Sequence, residues 1–326
     1  HQTLRATLDW SHALLAEAER VVFRRLGIFI GGFNLGLAQE VADDDRLDDW
    51  AVLDALGALV DKSLVVADEG EPVRYRLLET TRAFALEKLA DAGETPILME
   101  RHARAVAAHF LRIWEAQDGE QATLGQAAAM KLEEPEFDNA RAALAWASAE
   151  VLDSADGTAS ATAIVLATAV ASLLEDRGQG QEALGCMQSW AERIDDDAHP
   201  MPAAWFWVVY ATLGHSGRLS DAATQAALTR TERIWRQRGD HRRLHAVLCR
   251  RVPMLLAPGR RQEADALMKE LLALEDPAWP PWVRSRRLSA ALYSDIAQGR
   301  LQDALQVRAE IEQLLDSEPG YQAHLT

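Results

Sequence analysis

Two sets of side chains in the second half of the chain have the types and spacing to do chemistry. His241, His245 and Cys249 stand at i, i+4 and i+8. On one helix the first two, or the last two, could share a metal ion. All three could not, because the ends lie about 12 Å apart along the axis. No further ligand cluster accompanies them, so the expectation is a helix face with polar edge histidines and a buried cysteine, and no metal is assigned. The second set is cationic. Arg230, Arg233, Arg236, Arg238, Arg242, Arg243, Arg250, Arg251, Arg260 and Arg261 are opposed within that stretch only by Glu232 and Asp240. Arg284, Arg286 and Arg287 follow. Arg243 and Arg250 are seven apart and share a helical face. Guanidinium groups gathered this way suit a carboxylate or another anionic ligand. The opposing reading is a solvated face, or pairing with the protein's own carboxylates.

Aromatic side chains crowd the same region. Trp205, Phe206, Trp207 and Tyr210 fall within six residues. Trp279 and Trp282 flank Pro280 and Pro281. Large rings mostly fill helix-pair cores, but Trp205 and Trp207 cannot both face the same way. One of them is expected toward a groove, where interfaces favour aromatic anchors. The candidate ligand or partner set is therefore Arg242, Arg243, Arg250, Arg251, Arg286, Arg287, Trp205 and Trp207. No catalytic constellation emerges. Ser11 and His12 are sequence neighbours that a helix points apart, and no enzyme activity is assigned to this segment.

The elements that must position these residues are helices. Four times a glycine is followed at a fixed offset by an acid and an alanine: Gly178/Glu182/Ala183, Gly217/Asp221/Ala222, Gly259/Glu263/Ala264 and Gly299/Asp303/Ala304. The alanines recur roughly every 40 residues, a period of stacked helix pairs. The glycine ends the first helix of each pair. The acid sits where the next helix's dipole favours it, and the alanine keeps the crossing tight. Pro200, Pro202, Pro277, Pro280 and Pro281 punctuate the helices. Pro253 lies inside one and predicts a kink or an earlier end.

The first third has another character. Helical spacing is read at Leu4–Leu15, at 18–29 and, after Gly31-Gly32, from Leu35 to Val41 with Asn34 as cap. A third long helix spans Asp49–Asp61. Residues 63–67 and 73–77 then read as a hairpin around an acidic turn, and helix returns from Glu79 to Ala92. Further helices are read over 101–117 and 138–150, with a polar break at 153–157. Helices followed by a two-stranded wing make a winged-helix layout. The expected fold is mainly α: a winged-helix domain with a small β-hairpin (1–94), a helical connector (95–157) and a tetratricopeptide-like α-solenoid (158–326).

Composition bounds the rest. The chain has 326 residues, 48% of them hydrophobic, and a formal net charge of -16. That charge discourages non-specific binding to polyanions and to anionic membrane. Two cysteines do not make a disulfide framework, so a reducing cytoplasm is expected. No apolar run is long enough for a membrane span.

Several segments also resemble a known family. Thr3–Ser11 (TLRATLDWS), Phe23–Leu26 (FRRL), Phe29–Phe33 (FIGGF), Leu59–Leu64 (LVDKSL) and Tyr75–Arg82 (YRLLETTR) are similar to the winged-helix segment of bacterial STAND-type regulatory ATPases, the AfsR-like regulators. Phe137–Trp146 (FDNARAALAW) resembles that family's linker into its sensor repeats. The resemblance implies a larger regulator with an upstream nucleotide-binding domain, using ATP or ADP and magnesium. It implies that the repeats receive an effector and that the winged helix relays the signal. This sequence contains no Gly-Lys dipeptide, so a phosphate-binding loop is absent from it, and no cofactor is assigned to this segment. Related switches place a Met-His-Asp triplet at the wing's end. The corresponding triplet here is Leu77-Leu78-Glu79, and leucine cannot hydrogen-bond a phosphate.

A winged helix also suggests DNA. The helix before the wing carries Asp48, Asp49, Asp54 and Asp61 against Lys62 alone, the wrong sign for phosphate contact. The expectation is therefore no direct nucleic-acid contact by this segment. Its partners would be its own upstream nucleotide-binding domain and an acidic protein, peptide or small-molecule effector. The functional expectation is the sensor portion of a signal-transducing transcriptional regulator; the alternative is a non-switching helical-repeat scaffold. The opening residues read as the middle of a longer chain, and 320–326 as the start of another repeat helix.

Overall fold

The computed structural model describes residues 2–44, 47–119, 123–153, 160–215, 218–256 and 259–316. The described chain is mostly helical, with one two-stranded antiparallel sheet. Contacts divide it into two compact units. One comprises residues 1–113 and 130–176; the other comprises 114–129 and 177–326.

The elements of the first part are α1 (Gln2–Ala13), α2 (Glu17–Leu26), α3 (Leu35–Ala42), α4 (Asp49–Asp61), β1 (Val66–Asp68), β2 (Arg74–Arg76), α5 (Glu79–Asp91), α6 (Thr95–Asp118), α7 (Gln126–Glu133), α8 (Phe137–Asp153) and α9 (Ala161–Asp176). α2 packs on α3, α4 and α5. Val22, Phe23, Leu26, Leu37, Leu56, Leu59 and Leu89 are all but sealed from solvent, and their burial drives the assembly. Asn34 caps α3, its Oδ1 accepting from Leu37 N at 2.9 Å.

The wing is shorter than its sequence suggests. Ser63 adopts a left-handed φ of 58°, and the N–H groups of Leu64 and Val65 turn back to the carbonyl of Leu59. Those β-branched and apolar residues are thus consumed in closing α4, leaving three-residue strands in the register Val66↔Arg76, Ala67↔Tyr75 and Asp68↔Arg74. Phe33 extends the pairing by exchanging two 2.8 Å backbone bonds with Tyr75.

The arginines of the first unit are bound to it. Arg25 is buried, donating to the Ala42 carbonyl at 2.7 Å and to Asp44. Arg24 pairs with Glu94 at 2.8 Å. Arg74 of the wing reaches the fully buried Glu136 at 2.6 Å. Asn139, also fully buried, accepts from Ile30 N and donates to the Gly32 carbonyl and to Glu136. Glu136 and Asn139 therefore lock the start of α8 to the Gly31-Gly32 turn and to the wing. This is why α8, and α9 packed on it, belong to the winged-helix unit, although the sequence reading set connector and repeats apart from it. The break at 154–157, Gly217 and the segment 320–326 lie outside the described residues.

The second unit holds α10 (Gly180–Ala191), α11 (Pro200–His215), α12 (Asp221–Arg238), α13 (His241–Leu256), α14 (Arg261–Leu274), α15 (Pro281–Ala297) and α16 (Leu301–Asp316). Successive helices pack as neighbours, and α13 also packs on α15, which gives a helical repeat-like array. Gly178, Gly259 and Gly299 each adopt a left-handed φ of 74–79°, a conformation that glycine reaches without steric cost. Glu182, Asp221, Glu263 and Asp303 all lie in first helical turns. Ala183, Ala264 and Ala304 are buried, as a tight crossing requires. Ala222 departs from this and is exposed. α12 starts two residues later than its counterparts relative to the repeat glycine, with Ser220 as cap. Thr224 takes the inward place instead and abuts Gly214 so closely that no side chain would fit there. α13 does not end early at Pro253; it continues to Leu256.

Candidate functional site

The second unit contains a pocket of about 450 Å³, within the range of small-molecule sites. α11 contributes Trp205 and Val208, α12 contributes Trp235, and α13 contributes Arg243, Val247 and Arg250. α15 contributes Ser285, Arg286, Ser289 and Tyr293, and Asp118 closes the lining from the end of α6. The walls are thus mainly apolar and aromatic, with a few polar groups converging on them. Trp205 and Trp235 meet edge to face at 6.4 Å, and Trp205 also packs on Trp114 at 5.4 Å.

The sequence-derived candidates separate into two groups. Trp205, Arg243, Arg250 and Arg286 line the pocket. Trp207, Arg242, Arg251 and Arg287 do not. Trp207 is buried, donates Nε1–H to Asp196 at 2.8 Å and lies beneath the Arg230 guanidinium at 3.9 Å. Arg242 is buried, with Nη1 donating to the Gly119 carbonyl at 2.6 Å. Arg251 pairs with Glu232. Arg287 pairs with Glu275 at 2.7 Å.

Pairing with the protein's own carboxylates accounts for most of the arginine excess. Asp196, nearly buried, takes Arg230 at 2.7 Å and Arg233 at 2.9 Å. Glu275 takes Arg284 as well as Arg287. Arg236 bridges Glu232 and Glu270. Within the pocket wall, Arg243 is held between Asp240 and Glu115, and Arg286 pairs with Asp118 at 2.7 Å.

Arg250 differs. Among the described residues it forms no ion pair, and its one hydrogen bond runs from Nη1 to Thr212 Oγ1. Burial, and then the nearby Arg286, push its pKa below the ordinary arginine value. It remains a cation, since guanidinium does not deprotonate in proteins.

The histidine–cysteine series does not converge. His241 is exposed, whereas His245 and Cys249 are buried, 3.8 Å apart from Nδ1 to Sγ. Burial pushes His245 down to about 4 and Cys249 up to about 12, so Cys249 offers no thiolate. Among the described residues no group of three or more His, Cys, Asp or Glu could hold a metal ion. No helix of the described residues is long and apolar enough to cross a membrane.

Sequence reasoning missed Asp118, Thr212, Trp235 and Tyr293. Asp118 stands 168 positions from its partner Arg286, and nothing local marks it. Trp235 sits inside the arginine-rich stretch and could have been found by extending the search for rings there.

In the first unit, the exposed face of α4 carries Asp48, Asp49, Trp50, Asp54 and Asp61. Trp50 is 74% exposed. Lys62 follows the helix and is engaged by Glu19 at 2.5 Å.

Residues 15–90 match the family model of the winged helix-turn-helix domain. A protein of Mycobacterium bovis and one of Mycobacterium tuberculosis, each named "Putative HTH-type transcriptional regulator", are 49% identical over 146 residues, which is 44% of this chain and 16% of the relative. A Mycobacterium tuberculosis protein named as uncharacterized is 44% identical over 103 residues, 31% of this chain and 26% of its own length. The chain thus spans about a sixth of the length of the regulators it matches. No solved structure matches it significantly. These matches overturn the expectation of no direct nucleic-acid contact. That expectation read the charge of one helix as though all contact had to pass through it. In helix-turn-helix proteins, phosphate contacts also come from other helices, hydroxyls and backbone N–H groups. The winged helix-turn-helix domain and the regulator relatives together support a regulatory role.

Proposed function

We propose that this chain is the winged-helix and signal-receiving portion of a bacterial transcriptional regulator of the STAND type, and that the regulator acts on DNA. The observation that carries the reading is a winged helix-turn-helix match at 15–90 in a chain whose helical repeats form a ligand-sized pocket. In this reading the second unit receives the signal. An effector that binds one arrangement of the repeats better than another shifts the population by that difference in affinity. The winged helix passes the shift on.

ATP or ADP with magnesium belongs, in this reading, to another part of the longer protein. The residues present do not fit a nucleotide: there is no Gly-Lys dipeptide, and Leu78, at the cap of α5, is half exposed with no polar group to offer. No step of the relay is therefore routed through nucleotide by this chain. DNA contact involves the winged helix. Because the exposed face of α4 is acidic, cations outside α4 carry the phosphate neutralisation.

Selection from a random duplex pool with the full-length protein tests the DNA part. Enrichment of a defined sequence, weakening steeply between about 50 and 200 mM salt, is expected. A pool that stays random at low salt would contradict it.

A further inference from the structure

The pocket of the second unit has a composition that narrows what it can take, and Arg250 is its centre. Three lining cations converge there, but two are already satisfied. Arg243 is held by Asp240 and Glu115, and Arg286 by Asp118. Arg250 has only a neutral hydroxyl, that of Thr212. A half-buried guanidinium with no carboxylate is costly in an apolar wall. Its planar fork of donors matches a carboxylate in two parallel hydrogen bonds. Beside it, Ser285 and Ser289 supply hydroxyls from α15, while Trp205 and Tyr293 supply ring surface; Trp235, 1% exposed, backs Trp205 from behind. The volume of about 450 Å³ is too small for a folded partner and fits a compact ligand.

We infer that this pocket binds a small organic acid, one carboxylate on an aromatic or apolar body, with Arg250 as the anion anchor and the Trp205 ring as the platform for the body. This rests on the signal-receiving reading of the second unit and names the chemistry of the signal. Thr212 is a positioning residue: it holds Arg250 Nη1 from α11 and leaves the rest of the fork available. A second lining cation, Arg286, faces the same space, so a ligand with one negative charge is favoured over a neutral one without needing a dianion. Asp118 is engaged by Arg286 at 2.7 Å, so its charge only partly offsets that of Arg250.

Tryptophan fluorescence gives a readout, because Trp205 lines the pocket, and the Arg250 variants assign the change to this site among the ten tryptophans. The full 326-residue chain is titrated with 2-naphthoate and with the neutral isostere 2-naphthamide. Saturable quenching by naphthoate, at least tenfold tighter than naphthamide, is expected. Arg250→Gln should abolish that preference, while Arg250→Lys should keep part of it. Circular dichroism checks that each variant is folded, and the comparison of the two probes on the unaltered chain needs no variant. Equal binding of the two probes, no saturable quenching by either, or an Arg250→Gln chain that keeps the preference would overturn the inference. If naphthoate fails while Ser289→Trp, which puts a large ring on the pocket wall, still silences the full-length regulator, the inference falls and the regulatory reading stands. If Ser289→Trp leaves regulation intact, the reading of this pocket as the receiver falls with it.

Discussion

At the scale of single residues, the second unit shows how a local excess of one charge dissolves in three dimensions. Glu232 and Asp240 were the only acids within the arginine stretch, yet Asp196, Glu270, Glu275, Glu115 and Asp118 arrive from elsewhere in the unit. Sequence could count the cations but could not see these partners, since opposite charges attract across space rather than along the chain. Among the three cations of the pocket wall, Arg250 is the one with no carboxylate partner among the described residues. Two buried histidines give a further consequence at this scale. Burial drops His102 and His245 from the ordinary 6.5 to about 4, so both stay neutral in the folded protein. The unfolded chain takes up those protons from about pH 6.5 downward. Stability is therefore at its full value above that pH and declines as pH falls toward 4. The loss by pH 5 is roughly 2 kcal/mol for each group. Urea denaturation at pH 7 and pH 5 measures it. The double variant His102→Asn, His245→Asn should show a distinctly smaller decline, and an unchanged decline would contradict the assignment.

At the scale of elements, periodicity and punctuation made much of the fold legible. α4 runs over the expected 49–61, Asn34 caps α3 as its type suggested, and the described repeat glycines end their helices. The hairpin was legible in kind but not in register, because the tight closure of α4 after Ser63 draws in Leu64 and Val65. The Glu136–Asn139 lock was not legible from physics at all. The family resemblance pointed to that segment, but only the structure shows that Asn139 joins Ile30 and Gly32 to α8. Gly259 is left-handed, so Gly259→Ala should cost about 1–2 kcal/mol. Gly185 lies exposed inside α10 with open space around it, so Gly185→Ala should gain about 0.5–1 kcal/mol. Opposite shifts of the urea midpoint are expected, and shifts of the same sign would show that conformation at the turn is not what the glycine supplies.

At the scale of the whole molecule, a net charge of -16 coexists with a winged helix-turn-helix domain. Overall charge describes the average field, whereas recognition depends on which groups meet the partner. The candidate site was half legible for the same reason. Trp205, Arg243, Arg250 and Arg286 were in the sequence-derived set and meet in one pocket, while Trp207, Arg242, Arg251 and Arg287 serve structural contacts. Helical phase could separate neighbours but could not say which face would be covered by the next helix pair.

Under the proposed function, the second unit receives a signal that changes the regulator's output. Transcription of a reporter controlled by the full-length protein tests it most directly, comparing the unaltered protein with Ser289→Trp at equal abundance. Ser289 is exposed at the pocket wall, so the larger ring blocks the pocket with little disturbance of the core. The variant is expected to lose the difference in transcription between inducing and non-inducing conditions. An undiminished difference in the variant would contradict it.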